Sequence, residues 1–211
     1  MLSEIPANDI IVHYFAEEMK KNGFLVTRDE SRSFYHIDLT GNYEVYYKNY
    51  VHKKTLDLRT RINKLKREKG DYSVVQIQNN LLEYWKKMLE QYRVRRATTG
   101  QPNAFDDKRL NKMLHRIIPQ YEARGWLQMS ILKGPDGEDW AYQFDFVKDG
   151  VQYHYAPSFN MKYAAYSPSK ILLLETIKAG FANPNLIEFN FMRGESEYKN
   201  NLHLKKQAIS T

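Results

Sequence analysis

Three alternating segments separated by two tight turns constrain the fold of this 211-residue chain more than any other feature. The segments are WLQMSILKG, WAYQFDFV and VQYHYAPSF, and the turns between them are PDGED and KDG. Alternating apolar and polar residues are typical of half-buried strands, and Asp-Gly turns reverse the chain within a few residues. The pattern therefore predicts an antiparallel meander of three strands over residues 126 to 159.

The segments after Tyr72 predict a mixed α+β domain around this meander. Apolar periodicity and turn signals give the element order β-α-α-β-β-β-α-β-α-β. The strand YSVVQI and two amphipathic helices come before the meander. A helix in SPSKILLLETIKAGF, a strand in LIEFNFM, a short helix in SEYKNNL and a last strand in HLKKQAIST come after it. We expect one domain over residues 71 to 211, with a largely antiparallel central sheet flanked by helices.

The first 70 residues divide into two further parts. Residues 1 to 45 predict a helix from Pro6 to Asn22 and two short strands, in FLVTRDE and SFYHIDL. This part is too small to bury its own core, so we expect an N-terminal extension that is the remnant of a preceding lobe. Residues 46 to 70 predict a basic amphipathic linker helix ended by Gly70. Its charges form either a solvated face or an anion-binding ridge.

The composition limits the chemistry and the partners of the protein. The absence of cysteine excludes disulfides, thiol nucleophiles and thiolate metal sites, and it fits a reducing compartment. We therefore expect a cytoplasmic protein without a metal. No apolar run approaches the roughly 20 residues of a membrane-spanning helix, so no membrane span is expected. The net charge of +7 favours anionic partners such as phosphate-bearing cofactors, nucleic acid, acidic glycans or membrane surfaces.

The stretch YSPSKILLLETI predicts a helix start with unusual charge. Ser167 suits the N-cap and Pro168 the first helical position, which leaves Ser169 and Lys170 in the first turn. Because the start of a helix attracts anions, a lysine there indicates a negative ligand, although an ordinary capped helix with a solvated lysine also fits. Pro157, near the end of the preceding strand, cannot donate to a sheet ladder and indicates that the sheet opens nearby.

The C-terminal third resembles a known family. The order of elements resembles the GNAT acyltransferase fold, and AYSPSKILLLETIKAGFANPNLIEFNFMRGESEYKNNL is similar to the signature of the cellulose-biosynthesis-type (CelD/BcsL-like) acetyltransferases, which are related to the FemAB-like transferases. The likeness extends back to about Tyr46. The positions that match are the Ser-Pro turn, Arg193, Gly194, Tyr198 and Lys199. The positions that depart are Ser169 for Gly, Asn190 for Asp, Glu197 for Pro and Leu202 for Trp.

This resemblance implies a site between two strands that splay apart, where acetyl-coenzyme A or another acyl-coenzyme A enters. The residues expected to hold this donor are Tyr155, Ala156 and Ser158 on one strand and Ser167, Ser169 and Lys170 at the helix start. The expected catalytic residues are Tyr198 as general acid to the leaving thiolate, Lys199, and His154 as a base. The residues expected to contact the acceptor are Arg193, Glu195 and Asn190.

Three functions follow from the resemblance and the charge. The first is an acyltransferase that moves an acetyl or other acyl group from acyl-coenzyme A to an amine or hydroxyl of a sugar or of a cell-envelope or exopolysaccharide precursor. The second is a FemAB-like transferase that takes its acyl group from aminoacyl-tRNA, whose phosphates the basic helix would contact. The third is a non-catalytic module that binds a polyanion or a protein. A second lobe or a dimer partner fits each of them.

Overall fold

The computed structural model describes residues 5–6, 10–26, 32–51, 56–100, 103–193, 202 and 204–210. The helices are α1 (Ile10–Lys21), α2 (Tyr43–Tyr46), α3 (Leu56–Lys69), α4 (Leu81–Thr99), α5 (Lys108–Glu122) and α6 (Pro168–Ala182). A π-helical turn covers Tyr47–Val51, and 3-10 helices cover Ala104–Asp106 and Met161–Tyr166. The strands are β1 (Ile5–Pro6), β2 (Arg32–Asp38), β3 (Ser73–Ile77), β4 (Leu127–Lys133), β5 (Asp139–Lys148), β6 (Val151–Phe159), β7 (Glu188–Arg193) and β8 (Lys205–Ser210).

The strands form one sheet of eight in the order β1-β8-β2-β7-β6-β5-β4-β3. Neighbouring strands are antiparallel except β6 and β7, which are parallel because α6 connects them as a crossover. The predicted meander is confirmed as β4, β5 and β6, and the predicted α+β class with its largely antiparallel sheet is confirmed as well.

Helices cover both faces of the sheet and bury two apolar clusters. Helices α4 and α5 cover one face, where Trp85 packs against Phe144. Helices α2, α3 and α6 cover the other face, where Leu65, Ile171 and Phe189 are fully buried. Alternation along each strand therefore sends successive side chains to opposite helical layers. This arrangement explains why α6, which is apolar nearly all round, is predicted so clearly from its sequence.

The N-terminal part differs from its predicted form. SFYHIDL forms β2, whereas residues 24 to 26 of the predicted strand FLVTRDE are not a strand and its remainder lies outside the described residues. Strand β2 lies inside the sheet, between β7 and β8. The predicted basic helix is interrupted by the π-helical turn before α3 begins. The predicted helix in SEYKNNL lies outside the described residues, and the division of the chain at residues 45 and 70 stays a prediction.

Trp140 anchors the segment that leads into α6. Its ring lies 4.8 Å from the ring of Tyr163 in the 3-10 helix before α6. Trp140 is almost completely buried, and Gly134 in the β4–β5 turn packs directly against it. A Cβ at Gly134 would lie 2.5 Å from the indole, so this position has no room for a side chain.

We predict that Gly134→Ala destabilises the protein by about 1 to 3 kcal/mol, because the added methyl overpacks a site with no space. Chemical denaturation of the variant measures this change. Gly41→Ala is the matched control, since no atom lies within 4 Å of a Cβ there. Equal stability of the two variants would contradict the close packing of Gly134 on Trp140.

Candidate functional site

Strands β6 and β7 separate after three residue pairs. Val151, Gln152 and Tyr153 pair with Glu188, Phe189 and Asn190, and β6 then continues to Phe159 without a partner on that side. On its other side, β6 stays paired with β5 as far as Phe159. The backbone groups of β6 that point away from β5 between His154 and Phe159 therefore face a gap. A gap of this kind is the opening that the sequence predicts.

A β-bulge lies at the start of the gap. The pairing of β5 with β6 changes register between Phe144–Ala156 and Asp145–His154, so Tyr155 is the extra residue. Its ring packs 5.0 Å from Phe146 on the α4–α5 side, and burial raises the pKa of its phenol. A bulge increases the local twist of a strand and so turns β6 away from its neighbour.

Ser158 places a buried hydroxyl on the unpaired part of β6. Its side chain has no exposed surface, and its Oγ has no hydrogen-bond partner within the part of the chain that the structure describes. A buried hydroxyl without a partner is costly, since it has lost its water without replacement. Ser158 is therefore suited to bind a polar group of a ligand that lies along β6.

Four buried polar side chains bridge β5 and β6 beside the bulge. The Asp145 carboxylate is fully buried and accepts hydrogen bonds from the amides of Gln143, at 2.7 Å, and Gln152, at 2.6 Å. His154 Nδ1 lies 3.3 Å from the other carboxylate oxygen. Because a carboxylate accepts hydrogen bonds, we assign the Nδ1 proton to His154 as a donor to Asp145. The basic lone pair of the neutral imidazole is then on Nε2.

His154 stands where β6 and β7 begin to diverge. It follows Tyr153, the last residue of β6 that pairs with β7. Its ring is stacked 6.0 Å from Phe189 and lies edge-on, also at 6.0 Å, to Phe191. These contacts and Asp145 fix the plane of the imidazole, and only 6% of the residue is exposed. A fixed imidazole with a defined tautomer can accept a proton from a group inside the gap.

The start of α6 lies where the sequence predicts it, with Ser167 as the N-cap and Pro168 at the first helical position. Ser167 has φ 56°, however, and its side chain makes no capping hydrogen bond. Instead, Arg61 Nη1 donates to Ser167 Oγ at 3.0 Å and to the carbonyl of Ala165 at 3.3 Å. The left-handed turn at Ser167 moves its side chain away from the first-turn amides, and Arg61 of α3 holds it there.

The first turn of α6 leaves one amide and one cation available. Pro168 has no N–H, and the N–H groups of Lys170 and Ile171 donate to the Ser167 carbonyl. Ser169 N–H makes no hydrogen bond with other described residues. Lys170 is exposed and forms no ion pair with them either. Of the residues predicted to bind an anion at this helix start, Ser169 and Lys170 therefore keep polar groups available at the positive end of α6.

Glu138 fixes the segment between β6 and α6. Its carboxylate accepts hydrogen bonds from Asn160 Nδ2 at 3.1 Å, Lys162 Nζ at 2.8 Å and the Tyr163 hydroxyl. The hydrogen bond from Lys162, followed by that from Tyr163, lowers the pKa of Glu138 below its usual value of 4.5. The position of the α6 start thus depends on an ionised carboxylate in the β4–β5 turn.

The end of β7 is braced by Asn190. Its amide donates to Glu188 at 2.7 Å, and its carbonyl oxygen accepts from Met192 N–H at 2.8 Å. Met192 has φ 55°, so β7 turns out of extended geometry immediately before Arg193. Both polar ends of Asn190 are occupied inside the protein. The predicted site residues Glu195, Tyr198 and Lys199, and the side chain of Arg193, lie outside the described part.

A second opening lies elsewhere in the fold. It is a cleft of about 280 Å³ that contains Asp38, Tyr46, Phe181 and Lys205 in its lining. No residue of β6 or β7 is among those that line it.

Across the described helices, none is long and apolar enough to cross a bilayer. Within those same ranges, His, Asp and Glu side chains form no group of three or more that would suit a metal ion.

Sequence reasoning missed Asp145, Gln143 and Gln152. Gln143 and Asp145 alternate with Tyr142 and Phe144 in the meander, as do exposed residues of a half-buried strand. α6 covers this second face of the sheet, and its nearly uniform apolar sequence was the available signal that both faces are buried. A polar residue on a strand covered on both faces is a candidate for a buried network.

The comparisons with known proteins agree with this geometry. The profile of the family described as acetyltransferase (GNAT) domain matches residues 52–200. The chain therefore belongs to the GNAT acetyltransferase domain family, whose membership supports acetyltransferase activity with an acyl-coenzyme A donor. A search of curated protein sequences found no match.

Solved structures share the fold at low sequence identity. FemX has a TM-score of 0.66 at 8% identity, covering 98% of this chain and 70% of FemX. A conserved protein of unknown function from Bacteroides thetaiotaomicron has a TM-score of 0.62 at 14% identity, covering 99% and 68%. L-PGS from Bacillus licheniformis has a TM-score of 0.55 at 12% identity, covering 95% and 71%. The chain spans about two thirds of the length of these structures.

We predict that the contribution of Glu138 to stability is lost in acid. Because its pKa is lowered in the folded state, this contribution is fully present above the unfolded value near 4.5 and falls as pH drops through the folded pKa. The free energy of unfolding of the wild type and of Glu138→Gln should therefore converge below pH 4.5. A difference between the two proteins that is constant from pH 7 to about pH 3 would contradict this role.

Proposed function

We propose that this protein transfers an acyl group from acyl-coenzyme A to an amine or hydroxyl in the gap between β6 and β7. The observation that carries the proposal is the end of β6–β7 pairing at Tyr153 and Asn190, which leaves one strand edge open beside the start of α6. Membership of the GNAT acetyltransferase domain family supports the reaction class.

The residues along the gap suit coenzyme A. The unpaired edge of β6 from His154 to Phe159 offers backbone groups to an extended pantetheine arm, and Ser158 offers its unpartnered hydroxyl. Ser169 N–H and Lys170, at the positive end of α6, suit the pyrophosphate. When bound, the thioester supplies an activated acyl group. The protein's own contribution is then to orient this donor and to move protons.

Two residues are assigned to proton transfer. His154, held by Asp145 with its lone pair on Nε2, takes the proton from the attacking amine or hydroxyl. Tyr198 donates a proton to the departing thiolate; this role rests on the sequence resemblance alone. Asp145 is a positioning residue, because it acts through His154 and lies outside the gap. The two glutamine amides on Asp145 keep the carboxylate in place.

The proposed acceptor follows from the sequence resemblance. The resemblance to cellulose-biosynthesis-type acetyltransferases favours a sugar or a cell-envelope or exopolysaccharide precursor. Arg193, Glu195 and Lys199 follow β7 directly and would contact such an acceptor, whereas Asn190 braces the strand from inside. The lack of cysteine fits catalysis in the cytoplasm.

A second candidate is a FemAB-like transferase that uses aminoacyl-tRNA. Two observations favour it: the fold similarity to FemX and the exposed cations of α3, such as Lys64 and Arg67. RNA binding through these cations would weaken steeply with salt. If the protein is instead a non-catalytic module that binds a polyanion, its affinity would depend on salt in the same way, but no turnover would be seen. Binding of acetyl-coenzyme A separates both of these from the first function.

We predict that acetyl-coenzyme A binds the protein and that Lys170→Ala weakens it about fivefold, as expected when one exposed ionic contact is lost. Isothermal titration calorimetry measures both affinities. Lys178→Ala is the matched control, because Lys178 is exposed on the same helix but far from its start. Absence of binding at millimolar ligand would refute the donor, and equal losses in both variants would refute the site at the helix start.

We also predict that His154→Gln and Tyr198→Phe each lower kcat by about 10²- to 10⁴-fold while the affinity for acetyl-coenzyme A stays nearly unchanged. Stopped or coupled assays of thiol release give kcat, and calorimetry gives affinity. His115→Gln on the exposed side of α5 is the control and should keep full activity. Wild-type turnover in either variant would remove the corresponding residue from the mechanism.

A further inference from the structure

Arg95 of α4 contacts the last residue of β6, and the function proposed above involves neither Arg95 nor its neighbour Arg96. Arg95 of α4 has its guanidinium carbon 5.0 Å from the ring centroid of Tyr92 and 5.2 Å from that of Phe159. Arg96 lies 4.9 Å from the same Tyr92 ring and donates to its hydroxyl at 2.6 Å. Phe159 is the last residue of β6, so Arg95 stands beside the end of the unpaired strand edge.

Arg95 has no acidic partner within the described part of the chain. Acidic side chains of α4 and of other segments pair with other cations: Glu90 and Asp106 with Arg93, and Glu138 with Lys162. Asp139, at the start of β5, pairs with Lys133. Burial and the charge of Arg96 both lower the pKa of Arg95. Arg95 is thus held partly out of water without an acidic partner among the described residues, which costs free energy.

The aromatic contacts hold Arg95 in place without neutralising it. A guanidinium beside two rings loses rotamer freedom but keeps its charge and its forked N–H donors, which match a phosphate. A surface arginine serving only solubility needs no such fixation. The favourable interaction of cations with the C-terminus of α4 accounts for the presence of Arg96 in the last turn, but not for the contact of Arg95 with Phe159.

The distance along β6 suits one particular ligand group. Phe159 comes five positions after His154 in β6, which is roughly 16 Å of extended strand. An extended pantetheine arm has a comparable length. A thioester placed at His154 therefore brings the phosphate-bearing end of the donor to the end of β6, where Arg95 is fixed.

We infer that Arg95, supported by Arg96, is a phosphate-binding site for the acyl donor on the α4 side of the gap, in addition to the start of α6. This inference rests on the proposed function, because it takes the donor to be acyl-coenzyme A. It makes Arg95 a specificity-determining residue that distinguishes phosphorylated from unphosphorylated thioesters. The group it binds is either the 3′-phosphate or the pyrophosphate of the donor.

The test compares three ligands with three proteins. Acetyl-coenzyme A, 3′-dephospho-acetyl-coenzyme A and S-acetyl-pantetheine are titrated into wild type, Arg95→Ala and Arg93→Ala. Arg93 is the matched control, because it is an exposed arginine on the same helix that already has acidic partners. Thermal unfolding verifies that each variant is folded, and Arg95→Lys replaces Arg95→Ala if the latter is not.

We expect Arg95→Ala to weaken acetyl-coenzyme A about 10- to 100-fold, as for the loss of a hydrogen-bonded charge, and to leave S-acetyl-pantetheine unchanged. If Arg95→Ala does not weaken binding of 3′-dephospho-acetyl-coenzyme A, Arg95 binds the 3′-phosphate. If it weakens binding of this ligand as well, Arg95 binds the pyrophosphate. If Arg95→Ala binds acetyl-coenzyme A as tightly as wild type does, or if it weakens S-acetyl-pantetheine equally, the inference about Arg95 is wrong and the proposed function is unaffected. Failure of wild type to bind acetyl-coenzyme A overturns the proposed function with it.

Discussion

The short parallel pairing between β6 and β7 is the constraint on which the rest of the site depends. Three residue pairs hold these strands together, and the sheet is continuous through them from β3 to β1. Fewer pairs would separate the sheet into two halves, whereas more pairs would close the gap. The bulge at Tyr155 turns β6, and the left-handed backbone of Met192 turns β7. On its other side, β7 is hydrogen-bonded to β2, so β7 keeps one neighbouring strand beside the gap.

The buried network around Asp145 stabilises this geometry and orients His154, the residue proposed for proton transfer. A carboxylate without exposure is unfavourable unless its oxygens are hydrogen-bonded, and here two amides and an imidazole surround it. Its partners come from both sides of the bulge, so the network fixes the register of β5 against β6 as well as the plane of His154. The structural role and the proposed catalytic role therefore fall on the same four side chains.

The sequence predicts the fold well and the site only in part. The meander, α6 and the opening beside Pro157 follow from periodicity and turn chemistry, which are local. The place of β2 between β7 and β8 does not, because strand order depends on pairings between residues far apart in the chain. His154 was a candidate from its residue type, but Asp145 was hidden since alternation alone does not show that α6 covers the second face.

The cap of α6 illustrates the same limit. Ser167 before Pro168 is a reasonable cap by residue type, yet the backbone at Ser167 is left-handed and Arg61 takes its hydroxyl. That contact joins residues 106 positions apart, and no local pattern indicates it. The contact of Arg95 with Phe159 is of the same long-range kind.

Amide hydrogen exchange in the presence and absence of coenzyme A tests most directly whether the gap between β6 and β7 holds the donor. We expect bound coenzyme A to slow exchange in the unpaired part of β6, from His154 to Phe159, and at Ser169. The cleft that contains Asp38, Tyr46 and Phe181 should not change. Slower exchange in that cleft, or an unchanged exchange rate in β6 at saturating coenzyme A, would contradict binding of the donor in the gap.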